Sequence, residues 1–261
     1  MQTVRYPLSI LFLSLLFSLS IDAKETFVLG AEDQAGPWGR ADGTGCGNDI
    51  VKAAFAAVGD SVELSILPYV RAKKMAIDGE IAGCFSMSWM TEFKNKIIFA
   101  AKPLYHVEVT LLARHGDTMK IASLADLPPG SILGLVKDYE YHPEVRMTDN
   151  RNIIIEEVAS EEQNLKKLAA GRIRATVVCC DPLKSFSLLL KQADVEGKVD
   201  SNAVVGRQGS YVGFSLRNPR GMRAKEHFDR GMAIIINNGI YGSILKTWLS
   251  KCNRPGKEDR Q

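Results

Sequence analysis

Residues 61–85 read SVELSILPYVRAKKMAIDGEIAGCF, and this stretch decides the fold class. Val62, Leu64 and Ile66 alternate with polar neighbours, as a half-buried strand requires. Pro68 then breaks the strand, and Val70 to Ile77 fits a helix that ends near Gly79. Ile81 to Phe85 returns to strand character. Strand, helix and strand in so short a span predict an α/β architecture.

Working outward, the pattern repeats on both sides. Upstream, Phe27 to Ala31 reads as a strand. After a Gly-rich loop, Ile50, Val51, Ala54, Phe55 and Val58 recur at helical spacing, with Asn48 or Asp49 placed to cap the start. Downstream, Ser131 to Val136 and Ile153 to Glu157 read as strands. Ser160 with Gln163 forms a capping-box signal for a helix that Gly171 stops. Ile173 to Cys180 is a further strand, and Asp181-Pro182 is expected to start a helix through Leu183, Phe186, Leu189 and Leu190. Two amphipathic helices follow, one on Phe228, Met232 and Ile235, the other on Ile240, Ile244, Leu245 and Trp248, with Asn238-Gly239 between them. Val107 to Ala113 and Tyr211 to Leu216 are β-rich and lie between the two repeats of the pattern; they are the candidate connections between two lobes.

The ends and the composition set the context. Residues 1–23 carry Arg5, an apolar run from Leu8 to Ile21 and a small residue at Ala23, the pattern of a secretory signal peptide cleaved near Ala23. The remainder is expected to be periplasmic and soluble, with a polar tail from Asn253. A formal charge of +3, with acids and bases interleaved, argues against nucleic acid as a partner. Five cysteines leave at least one unpaired, Cys179 and Cys180 read as buried apolar residues, and Cys46 with Cys84 remains a candidate pair. No metal-ligand spacing, dinucleotide fingerprint, phosphate loop or nucleophile elbow is present, so neither a cofactor nor a metal nor a catalytic residue is expected.

Several segments, taken in order, resemble the extracellular solute-binding protein family 3, whose members bind polar amino acids for ABC transporters. Gly47-Asn48-Asp49-Ile50-Val51 resembles the family's first helix; Pro68 to Ala72 and Asp78 to Gly83 resemble the next helix and strand. Phe99 with Pro103-Leu104-Tyr105, then Ser123 to Leu127, Gly134 to Tyr141 and Leu168 to Ile173, continue the likeness over nearly the whole chain after the signal. The resemblance implies a two-lobed periplasmic binding protein fold of type II, joined by two crossover strands. Lobe one would hold residues 24–107 and 212–261, and lobe two residues 108–211. It also implies a small-molecule ligand in the cleft, an inner-membrane ABC permease or sensor as partner, and a monomer. A sensing partner or a dehydratase-like enzyme on the same scaffold stands as the alternative, the latter needing Glu108, His106 or Asp181 in the cleft.

Two departures bear on the ligand. Where amino-acid binders carry Thr-x-x-Arg, this chain has Ser88 to Lys94 with no arginine, and a lysine is a point charge rather than a fork. Arg174 also stands where the family usually has an aspartate.

Candidate ligand residues follow from strand-end loops, where open α/β sheets bind. Trp38 and Trp89 offer rings, although large side chains in such loops also simply pack. Ser86, Met87 and Ser88 offer hydroxyl and backbone donors, while Tyr69, Arg71 and Lys94 come from the segments of family likeness. Lys137 to Tyr141 is expected to open a helix after a strand, so that its backbone N–H groups could cradle an anion, while Tyr139 and Tyr141 either contact the ligand or simply pack. Asp181 reads either as a helix cap or as a ligand contact, and the two are compatible.

Overall fold

The computed structural model describes residues 24–117, 121–141, 145 and 152–252; the expected signal segment and polar tail lie outside them. Strand β1 (Thr26–Glu32) pairs in parallel with β2 (Ser61–Leu67) and with β3 (Gly83–Met87). Side chains alternate across this sheet, as pleating demands. Phe27, Leu29 and Ala31 face helix α1 (Cys46–Ala56) and the C-terminal helices α5 (Gly221–Asn237) and α6 (Ile240–Cys252). Cys84 and Met87 face the other way, onto α2 (Tyr69–Asp78) through Tyr69, Ala72 and Ala76.

A second sheet repeats the scheme. β6 (Ile132–Val136) pairs in parallel with β7 (Ile154–Val158) and β8 (Ala175–Cys180). Leu133, Leu135 and Val177 bury against Tyr141 and Val145 on one face. Val178 packs with α3 (Glu161–Ala169) and α4 (Phe186–Gln192) on the other.

Two strands tie the sheets together. β5 (Tyr105–Arg114) runs antiparallel to β8 and to the 17-residue β9 (Val199–Ser215). From Val199 to Ser210, β9 pairs with β5; from Tyr211 to Ser215 it pairs with β3 and with β4 (Ile97–Phe99). One continuous strand therefore leaves the second sheet and enters the first. The connections are longer than Val107 to Ala113 and Tyr211 to Leu216, because ladder pairing holds even the glycines and polar residues of β9 extended.

Local signals explain most boundaries. Gly79 ends α2 in the left-handed conformation at φ 88°, and the Ser160 hydroxyl accepts the Gln163 N–H at 3.3 Å to start α3. Three expectations need correction. Helix α1 begins at Cys46, capped by Gly45 rather than by Asn48 or Asp49, which lie inside its first turn. The segment 137–141 forms a turn with Asp138 at φ 61°, not a helix start. Asp181-Pro182 does not begin α4, which starts at Phe186 under a Ser185 cap. Cys46, Cys84, Cys179 and Cys180 are free thiols. Cys46 packs on the α1 side of the first sheet and Cys84 on the α2 side, so the sheet itself keeps that candidate pair apart. Among the described residues no helix is long and apolar enough to cross a membrane.

Candidate functional site

The parallel strands of both sheets end on the same gap. β1 delivers Glu32 there and β3 delivers Ser86 and Ser88; β6 and β8 are followed by Tyr139 and Asp181. These side chains line a cavity of about 80 Å³ between the sheets, which Trp38, Tyr69, Tyr105 and Tyr139 wall with aromatic rings. A β-bulge between Phe85 and Met87 places Ser86 at φ 68°, and Asp138 at φ 61° turns the chain so that Tyr139 and Glu140 reach inward. Both are non-glycine residues held in a left-handed conformation, the kind of local cost that clusters at functional sites.

Polar contacts across the gap are direct. The Trp38 indole lies flat on Tyr105, with ring centroids 3.5 Å apart, and its N–H donates to Asp181 Oδ2 at 2.7 Å. Asp181 Oδ1 accepts the backbone N–H groups of Leu183 and Lys184 at 2.7 and 3.1 Å. Asp181 thus caps a tight turn while also reaching across. The Glu140 carboxylate receives three donors from α2 and the end of β3: the Tyr69 hydroxyl at 2.5 Å, Lys73 Nζ at 2.8 Å and, more weakly, the Ser88 N–H at 3.5 Å. Gln208 holds the Glu140 carbonyl at 2.9 Å. In the opposite direction the Tyr139 hydroxyl donates to Glu32 Oε1 at 2.8 Å.

Glu32 is the exception in this network. It is buried, yet Oε2 has no hydrogen-bond partner among the described residues. Burial pushes its pKa from 4.5 up to about 7; the Tyr139 hydroxyl and Lys184 pull it back, while Glu161 and Glu140 add to the rise. Burial also raises Glu140, against Lys73 and Tyr69, and raises Asp181, against the Trp38 indole and two backbone donors. For Lys184, burial acts downward, but its pair with Glu161 at 2.5 Å more than offsets this and keeps it cationic. Ser210 Oγ, beside the Tyr105 hydroxyl, is buried in the cavity wall without a hydrogen-bond partner of good geometry.

Of the residues singled out in the sequence, Trp38, Tyr69, Ser86, Ser88, Tyr139 and Asp181 line the cavity. Tyr141 lies behind it, its hydroxyl accepting the Val136 N–H at 2.7 Å, and Met87 is packed in the α2-side core. Arg71, Trp89 and Lys94 are exposed and do not line it. His106 is exposed, and Glu108 pairs with Arg207 at 2.8 Å outside the cavity. Glu32, Lys73, Lys184, Gln208 and Ser210 join the site without any local motif to announce them, and Tyr105 and Glu140 lie within segments of family likeness that do not single them out. No cluster of three or more potential metal ligands occurs among the described residues.

No family model and no curated protein matches the chain. Solved structures do. A histidine kinase sensor domain with similarity to periplasmic binding proteins superposes with a TM-score of 0.73 at 20% identity, over 86% of this chain and 96% of that one. An ancestral arginine-binding protein bound to arginine follows, with a TM-score of 0.69, 20% identity and coverage of 85% and 97%. An ancestral amino acid-binding protein, a precursor of cyclohexadienyl dehydratase, superposes at 0.68 with 17% identity and coverage of 86% and 95%. The fold is therefore that of the two-lobed periplasmic binding proteins, with the two lobes joined by crossover strands and the cavity between them.

Proposed function

We propose that this chain is an exported solute-binding protein that captures a small polar ligand, an amino acid or a related amine or carboxylate, in the interlobe cleft. The observation that carries the reading is the cavity at the strand ends, to which both lobes contribute side chains: Glu32, Trp38 and Tyr69 from one, Tyr139, Glu140 and Asp181 from the other. A ligand that touches both walls stabilises the closed arrangement over the open one, and that difference is what drives hinge closure. The hinge lies between lobes of residues 24–107 with 212–261 and of residues 108–211. The chain works as a monomer in the periplasm after losing residues 1–23, and hands its closed form to an inner-membrane ABC permease. The likeness in fold to amino acid-binding proteins supports this role.

Two other readings each have an observation in their favour. The likeness to a histidine kinase sensor domain favours delivery to a sensor. The likeness to a dehydratase precursor, with Asp181 in the cavity wall, favours chemistry on the same scaffold.

Thermal unfolding of the protein across a library of amino acids, amines, organic acids and short peptides tests the proposal. A bound ligand raises the midpoint by linkage, about 2.7 kcal/mol at a hundredfold excess over Kd. A saturable ligand recovered chemically intact supports binding, and one that is consumed turns the reading to an enzyme. No response to any compound removes the solute-binding reading.

A further inference from the structure

The polar groups of the cleft divide into those already satisfied and those left open, and the division indicates a ligand charge. On the first lobe, a phenol, an ammonium and a backbone N–H converge as a carboxylate receptor should. Tyr69, Lys73 and Ser88 supply them, but the carboxylate they hold is the protein's own Glu140. The second cation, Lys184, is likewise taken by Glu161. With these two pairs neutral, Glu32 and Asp181 remain on the cavity wall as carboxylates without an ion-pair partner among the described residues. Asp181 has three donors, whereas Glu32 has one. Its Oε2, on a side chain that is more than nine-tenths buried, is the acceptor left for a ligand, with Ser210 Oγ, which has no hydrogen bond of good geometry, beside the Tyr105 hydroxyl.

Taking the solute-binding reading as its basis, we infer that the ligand is a small organic amine without a carboxylate, whose ammonium is held by Glu32 among the aromatic rings while Glu140 fills the anion end of the site from within. An ammonium would supply the hydrogen bonds and the charge that Glu32 lacks, and the aromatic wall formed by Trp38 and Tyr139 suits a cation. A carboxylate-bearing solute would have to displace Glu140 and leave it buried beside Glu32 without its donors, which costs several kcal/mol.

Amines paired with the amino acids that contain them test this: isobutylamine with valine, histamine with histidine, putrescine with ornithine, agmatine with arginine. Each is titrated calorimetrically against the full-length protein, its Glu32→Gln variant and its Glu140→Ala variant. In the wild type, at least one amine is expected to bind at least tenfold more tightly than its amino acid. Glu32→Gln should weaken that amine at least tenfold while melting no lower than the wild type, so that lost binding is not lost folding. Glu140→Ala should narrow the gap between amine and amino acid by freeing the carboxylate receptor. An amino acid that binds as well as its amine, or an amine indifferent to Glu32→Gln, overturns the inference and leaves the solute-binding reading standing. Silence from all eight compounds, with saturable binding by another carboxylate in the wider library, also overturns the inference alone; silence throughout overturns both.

Discussion

Asp60 and Glu32 each have 7% of their surface exposed, yet their carboxyl groups respond in opposite directions. Asp60 precedes β2 beside Glu25, closer to the surface of the first lobe than Glu32 is to that of the cleft, and burial there acts only modestly to raise its pKa. His227, 2.5 Å away, the Glu25 N–H at 3.0 Å and the nearby Arg230 more than offset this and hold it below 3.8. Glu32 has a single hydrogen-bond donor, and there burial wins. The two differ in what the fold sets against burial: an imidazole in contact and a nearby guanidinium for Asp60, a single phenol and a more distant ammonium for Glu32. For Asp60 the fold completes the set; for Glu32 it stops at one hydrogen-bond donor among the described residues.

The largest test is to break the completed pair. Asp60→Ala leaves His227 buried without its acid and is expected to cost about 3 kcal/mol or more, read from the urea midpoint. Glu32→Gln should show no such loss, since it removes a charge the apo cleft does not repay.

Next is pH. Glu32 holds its proton more tightly in the folded chain than in the unfolded one, so its contribution to stability is full below 4.5 and is lost as pH rises towards about 7. The whole arm amounts to roughly 3 kcal/mol for an isolated group. Lys184, Glu161, Glu140 and the Tyr139 hydroxyl face it, and they shape the arm without changing its sign. Asp60 runs the other way: its contribution is present above 3.8 and is lost as pH falls through its lowered folded value. Urea unfolding at several pH values, wild type minus Glu32→Gln, should show stability falling with pH between 4.5 and 7. A flat difference would mean that Glu32 has found a second partner.

How far the sequence reaches follows the same division. The strand–helix–strand pattern of 61–85 is local, and so are the stop at Gly79 and the cap at Ser160; each needs only neighbouring residues to act. Gly45 as the cap of α1 was not legible, because its role depends on the chain path past Trp38, whose carbonyl accepts the Gly47 N–H at 2.9 Å. β9 was legible only in its last part: Asp200, Asn202, Gly206 and Gly209 conceal a strand that exists because β5 pairs with it. Trp38 and Asp181 drew notice as a loop tryptophan and an Asp-Pro step, yet their mutual hydrogen bond spans 143 positions. Glu32 and Glu140 are ordinary acids in the sequence. Their meaning lies in burial and in partners brought from the other lobe, which no local spacing encodes.

The smallest effects compare a close helix–helix contact in the core with a polar group in the cleft wall. At Gly231 in α5, an added Cβ would lie 1.8 Å from the Ala54 carbonyl oxygen of α1. Alanine favours a helix over glycine by about 1 kcal/mol. Backbone cannot swing aside like a side-chain tip, however, so Gly231→Ala is expected to lose a net ~2 kcal/mol as the two helices are forced apart. Ser210→Ala is the matching change in the cleft. Ser210 is only 3% exposed, and a buried hydroxyl with a well-made partner would be missed by about 1 kcal/mol. Its Oγ has no such partner, so removing it relieves an unrepaid desolvation, and stability should hold within roughly 0.5 kcal/mol or rise slightly. A loss as large as that of Gly231→Ala would show that the Ser210 hydroxyl is satisfied as the Asp60 carboxylate is, and the contrast between Asp60 and Glu32 would then not extend to the rest of the cleft wall.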